Sequence, residues 1–437
     1  MAIGIAESPP SMGQMVHTLA EFSFLPRTDY TSSVTSGIYT SRRSGRRLKL
    51  PDTLSILLVT ESRGDAAAIS IYRAAPDRID IWYSKRRPCT EAEKANVMDF
   101  IRSAVQATRL SKRATEDLLR IALGMCKCKV FARIHKARCL LLNLCLDGSY
   151  GIIPGTSPAD RGFRDAAKRE LCRILGEARF PPEISLEGFL TRWFQEIIQV
   201  MRGGASFEIA ANVEFYFETV IRCHGLLQIR GIATVIEASL LERLRKIAEY
   251  YAAVCIVHRG VQGLTPAGKA YLVRNIREIP PSTPTTYLSP TDSLTCLNHW
   301  ARRRDLALSF PSSTALVNQK RVAECTHPEA TLIAEIISVH KSSPAVLREI
   351  GASKTSCWIC QEFSAVACGL YPGIWIRMSG ESVGIAESWK FPVDTPVELV
   401  LPLTGKIERA MDKVLERAGG VNGVKRGVKR KVGELDG

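Results

Sequence analysis

Four residues of this chain have the types and spacing to do chemistry together. His327 and Glu329 stand two positions apart in ECTHPEATLIAEIISVH, and Cys357 and Cys360 follow as C-x-x-C in TSCWICQEF. One imidazole and two thiolates are donors that Zn2+ prefers, and a catalytic zinc site uses three protein ligands and keeps a fourth position for water. His327, Cys357 and Cys360 supply three such ligands, which leaves Glu329 as a carboxylate that can carry protons beside the metal. No fourth ligand falls at an obvious zinc spacing. Cys325, Cys368 and His340 are the local residues that would close the shell into a structural site.

His327 and Cys357 lie 30 positions apart, so intervening elements must bring them together. EATLIAEIISV reads as a short helix, with Thr326 as its cap and Pro328 in its first turn. SSPA turns the chain, AVLREIGA is apolar enough for a strand, and CWICQEFSAVACGL is helical again. A helix, a returning strand and a second helix place both helix N-termini at one sheet edge. The positive potential of such a terminus favours the metal-binding thiolate. Cys357 and Cys360, three apart, face the same way there.

With these residues in place, the chain resembles the cytidine deaminase superfamily, whose zinc deaminases pair H-x-E with C-x-x-C. More narrowly, IGASKTSCWIC resembles a branch of predicted deaminases found in fungi and in bacterial effectors. That branch has Ser-Lys just before C-x-x-C, here Ser353 and Lys354. The resemblance covers roughly the last third of the chain. It implies that His327, Cys357 and Cys360 bind Zn2+ and that Glu329 is the general acid/base. Zinc lowers the pKa of its water towards neutrality. Glu329 would pass the water proton to a ring nitrogen and assist the loss of ammonia. The position attacked is C4 of cytosine or C6 of adenine. Two departures stand out. Ser356 occupies the place where the superfamily usually has Pro, and MSGESVGIAESWKFP keeps Gly380, Gly384, Trp389 and Pro392 of a loop but lacks its histidine. The metal residues are complete while the substrate loop is altered. An inactive deaminase-fold module that binds nucleic acid, and a structural zinc domain, are the alternatives.

Composition bounds the setting. At 437 residues the chain exceeds one ordinary core. No run of 18 or more apolar residues is free of charge, so no membrane span is expected. MAIGIAESPPSMGQ lacks the basic start and apolar stretch of a secretory signal, so the thirteen cysteines are expected to stay reduced in nucleus or cytoplasm. A formal charge of +15 favours a polyanionic partner, a nucleic acid or nucleotide substrate. KRGVKRK near the C-terminus resembles a nuclear localisation signal or a nucleic-acid patch, and the runs Arg42–Lys49 and Lys85–Arg87 are further candidates for phosphate.

The expected fold class is α/β. A C-terminal three-layer α/β/α deaminase-like domain with a mixed sheet follows a small strand meander and a mainly α-helical region. Residues 1–50 read as a disordered basic arm with one short helix near Met15–Phe22, and 51–278 as an N-terminal α+β and helical region. TLSILLVTE, AAAISIYR and IDIWYSK read as its strands, and Thr90 caps a helix with Glu93 three residues on. Residues 279–295 read as a linker or loop, 296–420 as the zinc domain and 421–437 as a basic tail. Within the zinc domain IERAMDKVLERAGG is a helix stopped by Gly419 and Gly420. A second sulfur-rich stretch, with Cys126, Cys128, His135, Cys139 and Cys145, suits buried helix thiols better than a metal. Trp358, Phe363 and Trp389 are either core or platforms for a base.

Overall fold

The computed structural model describes residues 10–22, 49–61, 65–75, 78–107, 111–146, 213–228, 236–262, 272–281, 287–288, 290–304, 322–323, 325–341, 346–354, 356–378 and 389–421. The chain opens with helices α1 (Met12–Phe22) and α2 (Lys49–Leu57), then strands β1 (Ala67–Ala75) and β2 (Arg78–Lys85). Four helices follow: α3 (Glu91–Gln106), α4 (Lys112–Leu146), α5 (Val213–Gln228) and α6 (Ala238–Gln262). Strand β3 (Leu272–Glu278), the short β4 (Tyr287–Leu288), helix α7 (Pro290–Arg303) and the short β5 (Val322–Ala323) lead to the metal-site elements. Those are α8 (Pro328–His340), β6 (Val346–Ala352), α9 (Trp358–Leu370), β7 (Ile374–Met378) and α10 (Val397–Val421).

The protein is mixed α/β, with a five-stranded sheet in the order β3-β2-β1-β6-β7. β1 is antiparallel to both β2 and β6, while β3 runs parallel to β2 and β7 parallel to β6. Alternation along the strands sends residues to two apolar clusters. Ile69, Ile79, Ile81 and Tyr83 join one cluster with α2 to α6; Ala68, Trp82, Ile350 and Ile374 join another with α1 and α7 to α10. α8 is apolar on nearly every side and correspondingly sunk in the second cluster. Leu332, Ile333, Ile336 and Ile337 are fully buried there, each worth about 1.5–3 kcal/mol relative to exposure.

Several expectations change. The sheet spans the division expected at 279–295, because β1, β2 and β3 share it with β6 and β7. That stretch itself contains β4 and the start of α7. The expected arm contributes α1, whose Met15, Val16 and Leu19 are core residues. TLSILLVTE does not form a strand: its first half belongs to α2. Its β-branched residues were a weak prior that tertiary packing overrides. α2 buries Leu54, Ile56 and Leu57 in the first cluster, and Asp52 Oδ1 accepts the Ala352 backbone N–H at 3.2 Å. α10 begins at Val397 rather than Ile407 and runs through Pro402 to one residue past the glycines. Residues 147–212 of the expected helical region and the tail 422–437 lie outside the described residues.

Two cations of the Lys85–Arg87 run are engaged within the protein, while Arg86 is exposed. Lys85 is buried and bonds Thr60 at 2.7 Å, with Asp65 and Glu93 both at 3.4 Å. Arg87 bonds Glu93 at 2.6 Å and Glu61 at 2.7 Å. Thr90 and Glu93 form the expected capping box at the start of α3. Burial raises the Glu93 pKa, but hydrogen bonds from Arg87 and Thr60 outweigh it and hold the carboxyl well below its usual range.

Two predictions follow from this packing. A Cβ at Gly351 would meet the Pro51 and Asp52 backbone at 2.2 and 2.3 Å, whereas one at Gly124 in α4 meets nothing within 4 Å. In urea unfolding Gly351→Ala should therefore cost about 3 kcal/mol or more, and Gly124→Ala should gain about 1 kcal/mol. The Glu93 contribution is fully present above the unfolded carboxyl pKa of about 4.3 and is lost as pH falls through the depressed folded value. Glu93→Gln should accordingly destabilise at pH 7 by about 2 kcal/mol and flatten the acid limb of the stability curve. An unchanged acid limb would remove this network from the account.

Candidate metal centre

The helix–strand–helix path from α8 through β6 to α9 brings the two ligand segments together. His327 is the N-cap of α8 (φ −74°, ψ 142°) and Cys357 the N-cap of α9 (φ −69°, ψ 159°). Both are extended and neither side chain caps its own helix. The expected cap, Thr326, is displaced one residue upstream because Pro328 takes the first helical position. Cys360 stands in the first turn of α9 and Glu329 in the first turn of α8.

His327 Nδ1 lies 3.4 Å from Cys357 Sγ and 3.5 Å from Cys360 Sγ, and the three donor atoms fall within 4.8 Å of one another. Metal bonds of about 2.3 Å to sulfur and 2.05 Å to nitrogen, at tetrahedral angles, separate N from S by about 3.5 Å. The side chains are thus already at coordination spacing, and His327, Cys357 and Cys360 could hold a metal ion. A mixed N/S set suits transition metals and not the oxygen-seeking Ca2+ or Mg2+. Both sulfurs are buried.

Protons show how the groups are coupled. A hydrogen bond with Cys360 overcomes burial and, with His327, holds the Cys357 thiol well below its ordinary value. Burial pushes Cys360 well up, and the negative Cys357 adds to it. Burial pulls the His327 ring down, but hydrogen bonds to Cys325 and Cys357 and the nearby negative charges lift it well above the usual imidazole range. A metal would engage these donors by displacing protons. Glu329 is 7 % exposed. Burial raises its pKa, with partial relief from His327 and Lys354 and opposition from Cys357, so the carboxyl feels both ligand residues.

The alternative ligands separate clearly. Cys325 is buried and bonds the His327 ring, but its sulfur is outside the three-donor group. His340 ends α8 at the far side, where Arg348 Nη2 donates to its Nε2 at 2.7 Å. Cys368 Sγ accepts the Ile376 N–H at 3.4 Å. Of the α4 cluster, Cys126 is buried and bonds the Leu57 carbonyl, Cys128 and Cys139 are exposed, and Cys139 lies 3.5 Å from His135. Among the described residues these form no metal-ligand group. Phe363 and Trp389 are fully buried, in edge-to-face contact with each other at 6.0 Å and with Phe391, so they are core and not platforms. Trp358 alone of the three keeps partial exposure. Gly380 and Gly384 fall outside the described residues.

Ser353 and Lys354 sit in the loop between β6 and Cys357. Ser353 exchanges two bonds with Ala67, pinning the loop to β1. On the other side of that loop a cleft of about 510 Å3 opens against α4 and α6, lined in part by Lys129, Arg133 and Lys136. The sequence reading considered only the sulfurs and the histidine of this part of α4. The spacing of the three cations, four and then three residues apart, was the available sign of a basic stripe. No protein-family model, curated protein or solved structure matches the chain.

Metal analysis of purified variants tests the ligand set. His327→Ala, Cys357→Ser and Cys360→Ser should each lose the bound metal, whereas Cys325→Ser and Glu329→Gln should keep one equivalent. Loss on Cys325→Ser would add a fourth ligand and make the site closed.

Proposed function

We propose that the protein is a zinc-dependent hydrolytic deaminase acting on the amine-bearing carbon of cytosine or adenine in a nucleic acid or nucleotide. The observation that carries this reading is the meeting of His327, Cys357 and Cys360 at two adjacent helix N-termini, with Glu329 buried in the first turn of one of them. Three ligands of this kind leave a tetrahedral ion one position for water. The resemblance of H-x-E and C-x-x-C to the deaminase superfamily supplies the reaction class.

The sheet supports the reading too. β1, β2, β6 and β7 with α8 and α9 are taken as the core of a three-layer deaminase-like domain. On that view the domain begins with the hairpin at residue 67, and the helices α3 to α6 are an insertion between β2 and the metal-bearing helix.

Zn2+ held by His327, Cys357 and Cys360 would supply a Lewis acid and an activated water beyond the C-terminal end of β6. The chain's own residues do the rest. The positive ends of α8 and α9 meet at the site, and the Cys360 backbone N–H bonds the Cys357 sulfur. Burial keeps bulk water from the Glu329 carboxyl. Glu329 would take a proton from the attacking water and deliver it to the ring nitrogen next to the attacked carbon. It would then carry the second water proton to the amine, which leaves as ammonia as the C–N bond breaks and the carbonyl forms.

A structural metal site is the second reading, and the bond between Cys325 and the His327 ring favours it. The two separate on Glu329. If the site is catalytic, Glu329→Gln should keep its metal and its unfolding temperature while ammonia release from cytosine- and adenine-containing substrates falls by about 10²–10⁴-fold. A metal-loaded wild-type protein that releases no ammonia from any such substrate would refute the deaminase.

A further inference from the structure

The cleft beside the metal loop has a charge pattern that the deamination chemistry leaves unused. α4 contributes Lys129, Arg133 and Lys136; α6 contributes Arg243, Arg245 and Lys246; the metal loop adds Lys354. Seven cations line the volume against three carboxylates. Each carboxylate already engages a cation: Glu249 holds Arg133 at 3.1 Å, Glu242 holds Lys246 at 2.8 Å, and Asp65 faces the buried Lys85 at 3.4 Å. Lys136, Arg245 and Lys354 stand exposed around the same volume as the half-buried Lys129. Burial lowers the Lys129 pKa, and the charges of Lys354, Arg133 and Lys136 lower it further. A group that loses proton affinity to its neighbours marks a place where an anion would be favourable.

The cleft and the metal centre share the β6–α9 loop, Ser353 and Lys354 lining the one and Cys357 belonging to the other. Lys354 sits three residues before Cys357, so their Cα atoms are at most about 11 Å apart. The charge of Lys354 reaches Glu329 as well.

Resting on the deaminase reading, we propose that this cleft is the phosphate subsite of the substrate and takes two or more linked phosphates. The substrate is then a nucleic acid strand or a nucleoside polyphosphate, not a free base or nucleoside. A free base would leave the excess charge without a counterpart, and a cleft of about 510 Å3 is of small-ligand size.

The test is binding of a short labelled oligothymidylate to the full chain by fluorescence anisotropy across a salt series. Thymine has no exocyclic amine, so no chemistry intervenes. Wild-type protein should bind in a salt-sensitive way. The double variant Lys136→Glu, Arg245→Glu should bind on the order of tenfold or more weakly, with a log–log salt slope shallower by about 1.4. Lys354→Ala, at an exposed loop position, should lower the slope by about 0.7. Unfolding temperature and metal content serve as controls for both variants. Competition identifies the source of the phosphates: displacement by unlabelled strand far below the concentration of cytidine triphosphate needed assigns a strand, and equal displacement assigns a nucleoside polyphosphate. Wild-type protein that binds neither probe, or variants with unchanged affinity and slope, would overturn the subsite. Cleft-dependent binding with no ammonia from any cytosine or adenine substrate would refute the chemistry and leave the subsite standing.

Discussion

The pairing of β1 with β6 is the contact on which the rest of the molecule depends. It joins segments 286 residues apart, through the ladder of Ala68 to Ile71 against Ala352 to Glu349 and the two bonds between Ala67 and Ser353. Closing a loop of that length costs about 5 kcal/mol beyond the constant of a short one. The cost grows only logarithmically, so the helices between the partners are tolerated. A few fully buried side chains, at about 1.5–3 kcal/mol each, offset it. Together with the Asp52 bond to Ala352, this pairing anchors the start of the β6–α9 loop that carries the sulfurs.

The metal centre exchanges ordinary helix-end chemistry for coordination. An N-cap is normally filled by a side chain that accepts a backbone N–H, a bond worth about 1 kcal/mol. In α8 and α9 that position holds His327 and Cys357, which turn to each other and leave the first N–H groups without a side-chain cap. The same helix ends provide the positive potential that stabilises a thiolate, and the Cys360 N–H bonds the Cys357 sulfur. Local stability and site chemistry therefore oppose each other at two equivalent positions, a pattern expected where function sets the residue.

The site was legible in sequence because its signals are local. H-x-E and C-x-x-C each sit within one helical turn, and AVLREIGA between them is apolar enough for a strand, although burial falls on Arg348 and exposure on Leu347. The α8–β6–α9 path follows from helical periodicity and that apolar strand. The capping box at Thr90 was equally local. What failed was non-local. Nothing within AAAISIYR or IDIWYSK says that these strands extend the sheet of a segment some 270 residues later, so the sequence division cut through one sheet. TLSILLVTE was misread because the approach of α2 to Gly351 is a tertiary event. Lys85 and Arg87 looked like surface because their partners, Asp65 and Glu93, come from separate elements.

The position of β1 has a consequence for the nascent chain. β1 lies inside the finished sheet, with β2 on one edge and β6 on the other. At about 5–20 residues per second, β6 leaves the ribosome some tens of seconds after β1, and through that interval one edge of the hairpin stands unsatisfied. An open edge of this kind invites pairing with a neighbouring copy. Assembly of α2 and the helices α3 to α6 over the hairpin's first face would leave it folded but half-covered until the metal-bearing segment arrives.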